Sequence, residues 1–230
     1  MKRVLLKLSG EALAGEKKTG FDEATVIEVA KQIRTIAEEG LEIGIVIGGG
    51  NFWRGRTSET IDRNKADQIG MLATVMNCIY VSDICRYLGL KTEIFTPFVC
   101  GAFTSLYSKD AVEASFVQGK IVFFAGGTGH PYFSTDTATV LRAVEIEAEA
   151  ILLAKAVDGI YDSDPKTNPN AKKFDELTYD EYVARGLRAM DTSAVVMCKE
   201  NGLKVHAFGL SDKNSIVKAV AGDKEGTIIY

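Results

Sequence analysis

Short apolar runs alternate with segments of helical period along the whole of this 230-residue chain. Strands are expected at 3–8, 41–47, 92–95, 121–125, 150–154, 204–208 and 227–230. After a capping Asp22, the residues Val26, Val29, Ala30, Ile33, Ile36 and Ala37 recur at helical spacing, and Gly40 closes that helix. Ala66, Ile69, Leu72, Ala73, Met76, Ile79 and Tyr80 form the stripe of a long helix that runs through Ile84 and Leu88 to Gly89. An amphipathic segment spans 107–118, and a helix opens at Ser134-Thr135-Asp136 and continues to Glu147. Further helices are expected at 178–184, from Met190-Asp191 to Asn201-Gly202, and at 212–221. Alternation of this kind predicts an α/β fold, a three-layer sandwich with a largely parallel central sheet and helices on both faces. The chain reads as one domain over 1–230, in which the stretch after about Leu152 forms a semi-separate lobe because of its long polar loop.

In an open parallel sheet, ligands bind outside the carboxyl ends of the strands. Three runs reach that edge with distinctive residues. The first ends in Lys7-Leu8-Ser9-Gly10, where the lysine would face the crevice and Gly10 lets the backbone approach a phosphate. The second is Ile45-Val46-Ile47-Gly48-Gly49-Gly50-Asn51, followed by Phe52-Trp53-Arg54-Gly55. Three glycines permit positive φ and a nest of N–H donors, to which Arg54 adds a planar cation. The third, at 121–125, enters Gly126-Gly127-Thr128-Gly129 and then the hydroxyl-rich helix start at Ser134, a ready phosphate site. The run at 150–154 leads into Lys155 and a polar loop carrying Tyr161, a residue suited to a base or ribose. Residues 57–65 read as polar and exposed, Asp67 as an acid in a helix first turn, and Met71 and Met76 as core or interface.

Several classes are excluded. With 27 basic and 31 acidic residues, the net charge of −4 argues against a broad nucleic-acid face. The opening Met1-Lys2-Arg3-Val4-Leu5-Leu6 is too short an apolar run for a signal peptide or a membrane span. Cys78, Cys85, Cys100 and Cys198 have no C-x-x-C spacing and read as reduced, mostly buried thiols of a cytoplasmic protein. His130 and His206 are the only histidines, so no histidine-rich metal site is present. Neither G-x-G-x-x-G after the first strand nor a Walker A loop occurs.

The stretches Lys7-Leu8-Ser9-Gly10-Glu11-Ala12-Leu13, Val46-Ile47-Gly48-Gly49-Gly50-Asn51, Met71-Leu72-Ala73-Thr74-Val75-Met76-Asn77 and Thr128-Gly129-His130-Pro131-Tyr132-Phe133-Ser134-Thr135-Asp136 resemble the bacterial uridylate (UMP) kinase family, which has the amino acid kinase fold. Val157-Asp158-Gly159-Ile160-Tyr161 and Lys224-Glu225-Gly226-Thr227 agree with it. The resemblance implies ATP-dependent phosphorylation of UMP to UDP with Mg2+, in a homohexamer inhibited by UTP and, in many members, activated by GTP. It assigns the N-terminal part mainly to UMP and the part after about 152 mainly to ATP.

Residue by residue, the resemblance implies catalytic roles for Lys7, Arg54, Asp136 and Asp191, the two aspartates being tied to catalysis or magnesium. It implies ATP contacts at Lys7, Leu8, Ser9, Gly10, Gly50, Arg54, Lys155, Tyr161 and Asp164. UMP contacts are implied at Gly49, at Asp67 through the ribose, and at Thr128, Gly129, His130, Pro131, Tyr132, Phe133, Ser134 and Thr135. The segment Gly15, Glu16, Lys17, Lys18, Thr19, Gly20 matches the one linked to GTP. His130 stands where the family usually has asparagine, and Lys155 where it usually has a small residue near the adenine. No protein metal ligand is assigned. Two other readings stay open: a kinase of the same fold acting on a carboxylate or carbamate, and a nucleotide sensor without turnover.

Overall fold

The computed structural model describes residues 1–54, 60–210 and 213–230. Positions 57–59 of the polar stretch, Gly55, and the helix start expected at Asp212 lie outside the described residues. The first half runs β1 (Arg3–Leu8), α1 (Gly10–Leu13), α2 (Glu23–Glu38), β2 (Glu42–Ile47), α3 (Arg63–Tyr87), β3 (Lys91–Thr96), β4 (Ser105–Leu106), α4 (Lys109–Val117) and β5 (Lys120–Phe124). The second half runs α5 (Thr135–Glu145), β6 (Ala150–Lys155), β7 (Ile160–Tyr161), β8 (Lys173–Phe174), β9 (Glu176–Leu177), α6 (Tyr179–Ala184), α7 (Thr192–Glu200), β10 (Lys204–Gly209), α8 (Ser215–Ala221) and β11 (Thr227–Ile229).

Among the described residues, nine strands form one sheet in the order β4-β3-β5-β2-β1-β6-β10-β11-β9. Every pairing in it is parallel except that of β10 with β11. The two-residue strands β4, β7, β8 and β9 escape the sequence reading because a pair of residues has no period. The semi-separate lobe expected after about Leu152 starts within the sheet. Leu152 pairs with Leu6 on one side and His206 on the other, so the sheet crosses that position without a break.

Side-chain alternation along the strands divides the interior into two layers. Val4, Leu6, Leu8, Leu152, Ala154 and Phe208 point to one face and meet α2, α3 and α8. Leu5, Ile151, Leu153, Val205 and Ala207 point to the other and meet α4, α5, α6 and α7. This is the expected three-layer sandwich. Helix ends follow local chemistry: the Asp22 carboxylate accepts the Thr25 N–H at 2.9 Å, and Gly40 and Gly89 end α2 and α3 at φ +86° and +90°.

Helix α3 departs from its expected stripe. Its buried side is Ala66, Ala73, Val75, Cys78, Val81 and Cys85, whereas Ile69, Leu72, Met76 and Ile79 are exposed. The helix is apolar on most of its circumference, so periodicity alone does not say which face turns inward. By length and hydropathy it is long and apolar enough to cross a membrane, but 44% of that window is buried inside the fold.

Candidate active site

The strand order fixes where a ligand goes. From β1 the chain moves to β2 on one side, whereas from β6 it reaches β10 on the other. β1 and β6 are neighbours, so the connections diverge between them and leave a crevice at their carboxyl ends. Lys7 and Lys155 stand there.

Lys7 projects from β1 on the face opposite Leu6 and Leu8, toward α5. Its Nζ donates to Asp136 Oδ1 at 2.7 Å. Burial opposes ionisation of Asp136, but the Lys7 ammonium, Lys155 and an Asp191 backbone N–H together hold its carboxyl below the ordinary range. Asp136 is in position because Ser134 caps α5, accepting the Asp136 and Thr137 N–H groups at 3.1 and 3.3 Å. A cavity of about 340 Å³ opens beside the pair. Lys7, Ser9, Gly10, Gly49, Gly50, Asp67, Phe133, Ser134, Thr135, Asp136 and Asp191 all line it.

The triple glycine reaches this cavity for a reason other than the one expected. None of Gly48, Gly49 and Gly50 has positive φ. Gly49 is glycine because of close approach to α3, whereas Gly50 approaches only the flexible Glu11 side chain. A Cβ on Gly49 would sit 3.0 Å from both Ala73 Cβ and Gly70 O of α3, and one on Gly50 would sit 2.9 Å from Glu11 Oε1. On the opposing turn, a Cβ on Gly10 would lie 2.2 Å from Gly48 O. The β1 and β2 turns are therefore pressed together, and a buried amide pair locks them. Asn77 Nδ2 donates to Gly48 O at 2.7 Å and to Asn51 Oδ1 at 2.8 Å, while Asn51 Nδ2 donates to Gly20 O at 2.8 Å. Left-handed glycines occur instead in the next turn, at Gly126, Gly127 and Gly129. There Thr74 Oγ1 accepts the Gly126 N–H at 2.8 Å.

The remaining expected residues fall into separate groups. Arg54 forms an ion pair with Glu11 beside Gly50. The Leu8 side chain is fully buried in the core, and its carbonyl accepts the Gly48 N–H at 3.0 Å, so only its backbone borders the site. Thr128, Gly129, His130, Pro131 and Tyr132 form the loop leading to Phe133 and do not themselves line the cavity, and His130 is exposed. Asp67 anchors that loop: its Oδ2 accepts the Tyr132 N–H at 2.7 Å and Arg63 Nε at 2.8 Å. Met71 lines the cavity rather than the core.

A second cavity, of about 470 Å³, is lined by Lys155, Tyr161 and Asp164 together with residues 185–189. Tyr161 donates to Asp158 Oδ1 at 2.7 Å, and Lys173 pairs with the same carboxylate at 2.9 Å. Gly15, Glu16, Lys17, Lys18, Thr19 and Gly20 form a 3-10 turn and bends to the side of the first cavity. They bond to Asn51, next to Gly50: the Asn51 carbonyl accepts Thr19 Oγ1 at 3.0 Å and the Gly20 N–H at 3.2 Å.

Glu11, Trp53, Arg63, Thr74, Asn77 and Arg188 have places in this architecture that residue chemistry alone did not assign. Glu11, Thr74 and Asn77 sit inside stretches quoted for the resemblance, so those stretches carried the signal. Arg63 and Arg188 look like any surface arginine in the sequence.

Fold and site together define an α/β protein with two cavities near the sheet's carboxyl edge and no P-loop. The pattern of the amino acid kinase family matches residues 2–209, and the chain belongs to that family. The UMP kinase from Bacillus anthracis is 35% identical and superposes with a TM-score of 0.94, covering 99% of this chain and 95% of that one. The UMP kinase from Ureaplasma parvum is 33% identical with a TM-score of 0.93, covering 99% and 98%. The uridylate kinase from Archaeoglobus fulgidus is 26% identical with a TM-score of 0.76, covering all of both chains.

Proposed function

We propose that this protein transfers the γ-phosphate of ATP to UMP, giving UDP and ADP. The observation that carries the reading is the Lys7–Asp136 pair at the strand crossover, flanked by two cavities of ligand size. UMP occupies the first, with its phosphate on the Gly48–Gly50 turn and near Arg54, its ribose at Asp67, and its uracil under the 128–135 loop. ATP occupies the second, with its nucleoside against Tyr161 and Asp164 and its phosphates running toward Lys7, Ser9 and Gly10.

Phosphoryl transfer spreads charge over the equatorial oxygens, so catalysis is positioning plus electrostatic stabilisation. The attacking UMP oxygen is already ionised, and no general base or covalent intermediate is needed. Lys7 and Arg54 neutralise the moving group, while Asp136 fixes Lys7. Among the described residues no three metal-ligating side chains cluster. That donor set suits Mg2+, which is held by one or two carboxylates and by substrate phosphates rather than by a protein cage. Asp136 and Asp191 are the carboxylates in place to hold it, and Mg2+ would supply charge neutralisation on the donor phosphates.

UTP as inhibitor, GTP as activator through residues 15–20, a cytoplasmic setting and a homohexamer belong to the same reading. The contact of residues 15–20 with Asn51 supports a route from that segment to the phosphate turn. The exposed Ile69, Leu72, Met76 and Ile79 support a subunit contact along α3, and a monomer by light scattering would end that part. ADP release measured in parallel with UMP, CMP, aspartate, glutamate and carbamate tests the central assignment. Turnover confined to UMP supports it, turnover with an amino acid or carbamate overturns it, and nucleotide binding without ADP release would identify a sensor.

A further inference from the structure

Lys155 differs from Lys7 and Arg54, the two cations placed beside the phosphate turn, in how it is held. Lys7 is the register partner of Leu153, so Lys155 stands two residues nearer the carboxyl edge on the adjacent strand and on the same face. Lys7 already holds Asp136, and Arg54 holds Glu11. Lys155 forms no ion pair among the described residues. Its Nζ donates to a neutral group, the Ala189 carbonyl, at 2.6 Å. It lines the second cavity and, from the strand beside Lys7, feels the charges of Lys7, Asp136 and Glu11, which line the first. Burial and the like charge of Lys7 push its ammonium below the ordinary lysine range. Holding a second ammonium beside Lys7, with Asp136 and Glu11 offsetting its cost only in part, is unfavourable in the free protein and becomes favourable once an anion lies between them.

We propose that Lys155 is a donor-phosphate contact: its ammonium binds the polyphosphate chain where that chain passes from the nucleoside cavity to Lys7, and it does not read the adenine. The proposal deepens the kinase reading and rests on the donor nucleotide lying in the second cavity. Lys155 then recognises a property that ATP and ADP share and AMP has far less of. It trades the Ala189 carbonyl for phosphate oxygens as the donor arrives.

The test uses the full chain and three probes, ATP, ADP and AMP, titrated calorimetrically into wild type, Lys155→Met and Lys155→Arg. A charge-assisted contact to phosphate leads us to expect Lys155→Met to weaken ATP and ADP by about tenfold or more. AMP and UMP should stay within about twofold, and Lys155→Arg should retain more ATP affinity than Lys155→Met. Because the methionine removes a buried charge whose ionised form its surroundings disfavour, its thermal midpoint without nucleotide should equal or exceed that of wild type. Equal weakening of AMP and ATP would mean a base contact and would overturn the proposal, as would unchanged ATP affinity. So would a fall in midpoint of more than about 5 °C, which would assign Lys155 a structural role at Ala189. Wild type that binds ATP but makes no UDP would sink the kinase reading while leaving the phosphate contact standing. Wild type that does not bind ATP at all would overturn both.

Discussion

Replacing Gly10 by alanine tests whether the two strand-end turns must touch. The added Cβ would lie 2.2 Å from Gly48 O and 2.5 Å from Asn51 Oδ1. An ordinary carbon contact is near 3.5 Å, so something must move by about 1 Å. The first obstacle is backbone that is itself held, since Gly48 N–H bonds Leu8 O and Gly48 O accepts Asn77 Nδ2. Overpacking of this kind costs about 1–3 kcal/mol. Displacing the buried Asn51–Asn77 pair adds roughly 1–3 kcal/mol for polar groups left poorly matched. The helix propensity of alanine at the start of α1 returns at most about 1 kcal/mol. The net expectation is on the order of 1–6 kcal/mol of destabilisation, a midpoint about 2–24 °C lower for a chain of this size. Scanning calorimetry on Gly10→Ala beside Gly40→Ala gives the comparison. Gly40 has φ +86° and nothing within 4 Å of a Cβ, so it reports backbone strain alone. UMP affinity should fall in Gly10→Ala and hold in Gly40→Ala. Equal midpoints for Gly10→Ala and wild type would refute the close approach as the reason for glycine there.

Four further outcomes are expected. Lys7→Ala should lower turnover by about 10²–10³-fold while changing the KM for UMP by less than about threefold, and near-normal turnover would remove Lys7 from the transition state. Because Lys7 depresses the Asp136 pKa in the folded state, the stabilisation is complete above the unfolded carboxyl value of about 3.9 and is lost as pH falls through the folded value. Denaturation midpoints from pH 6 to pH 3 should therefore show an acid limb that is flattened or reversed in Lys7→Met, and parallel limbs would deny the coupling. Only Cys100 should react promptly with a thiol reagent in the native protein, because Cys78, Cys85 and Cys198 are buried and burial pushes the thiols of Cys85 and Cys198 up to about 12 and 11; a second fast thiol would contradict the packing of α3 or α7. Asp67→Ala should release the Tyr132 N–H anchor and raise the KM for UMP more than that for ATP, and a larger effect on ATP would misplace the acceptor.

Strand and helix order was legible because the long elements keep one period and end in residues with a reason to end them, as Asp22, Gly40 and Gly89 do. The strand-end position of Lys7 was legible from a charge at the close of an apolar run. What pointed inward on α3 was not, since Ile69, Leu72 and Met76 satisfy the helical stripe as well as Ala73, Val75 and Cys78 do. The glycine triplet announced a special turn but not its cause, because conformational freedom and lack of space leave the same residue in the sequence. Contacts such as Lys7 with Asp136 and Asn51 with Asn77 join positions 129 and 26 residues apart. No local pattern encodes such pairs; the quoted stretches marked their members only separately.

A structure of the protein with UMP and a non-hydrolysable ATP analogue bound together tests the central claim most directly. The account predicts UMP in the cavity lined by Gly49 and Asp67, the analogue's nucleoside at Tyr161, and its terminal phosphate facing UMP beside Lys7. Either nucleotide found away from the carboxyl edge of β1 and β6, or the two found in exchanged cavities, would contradict it.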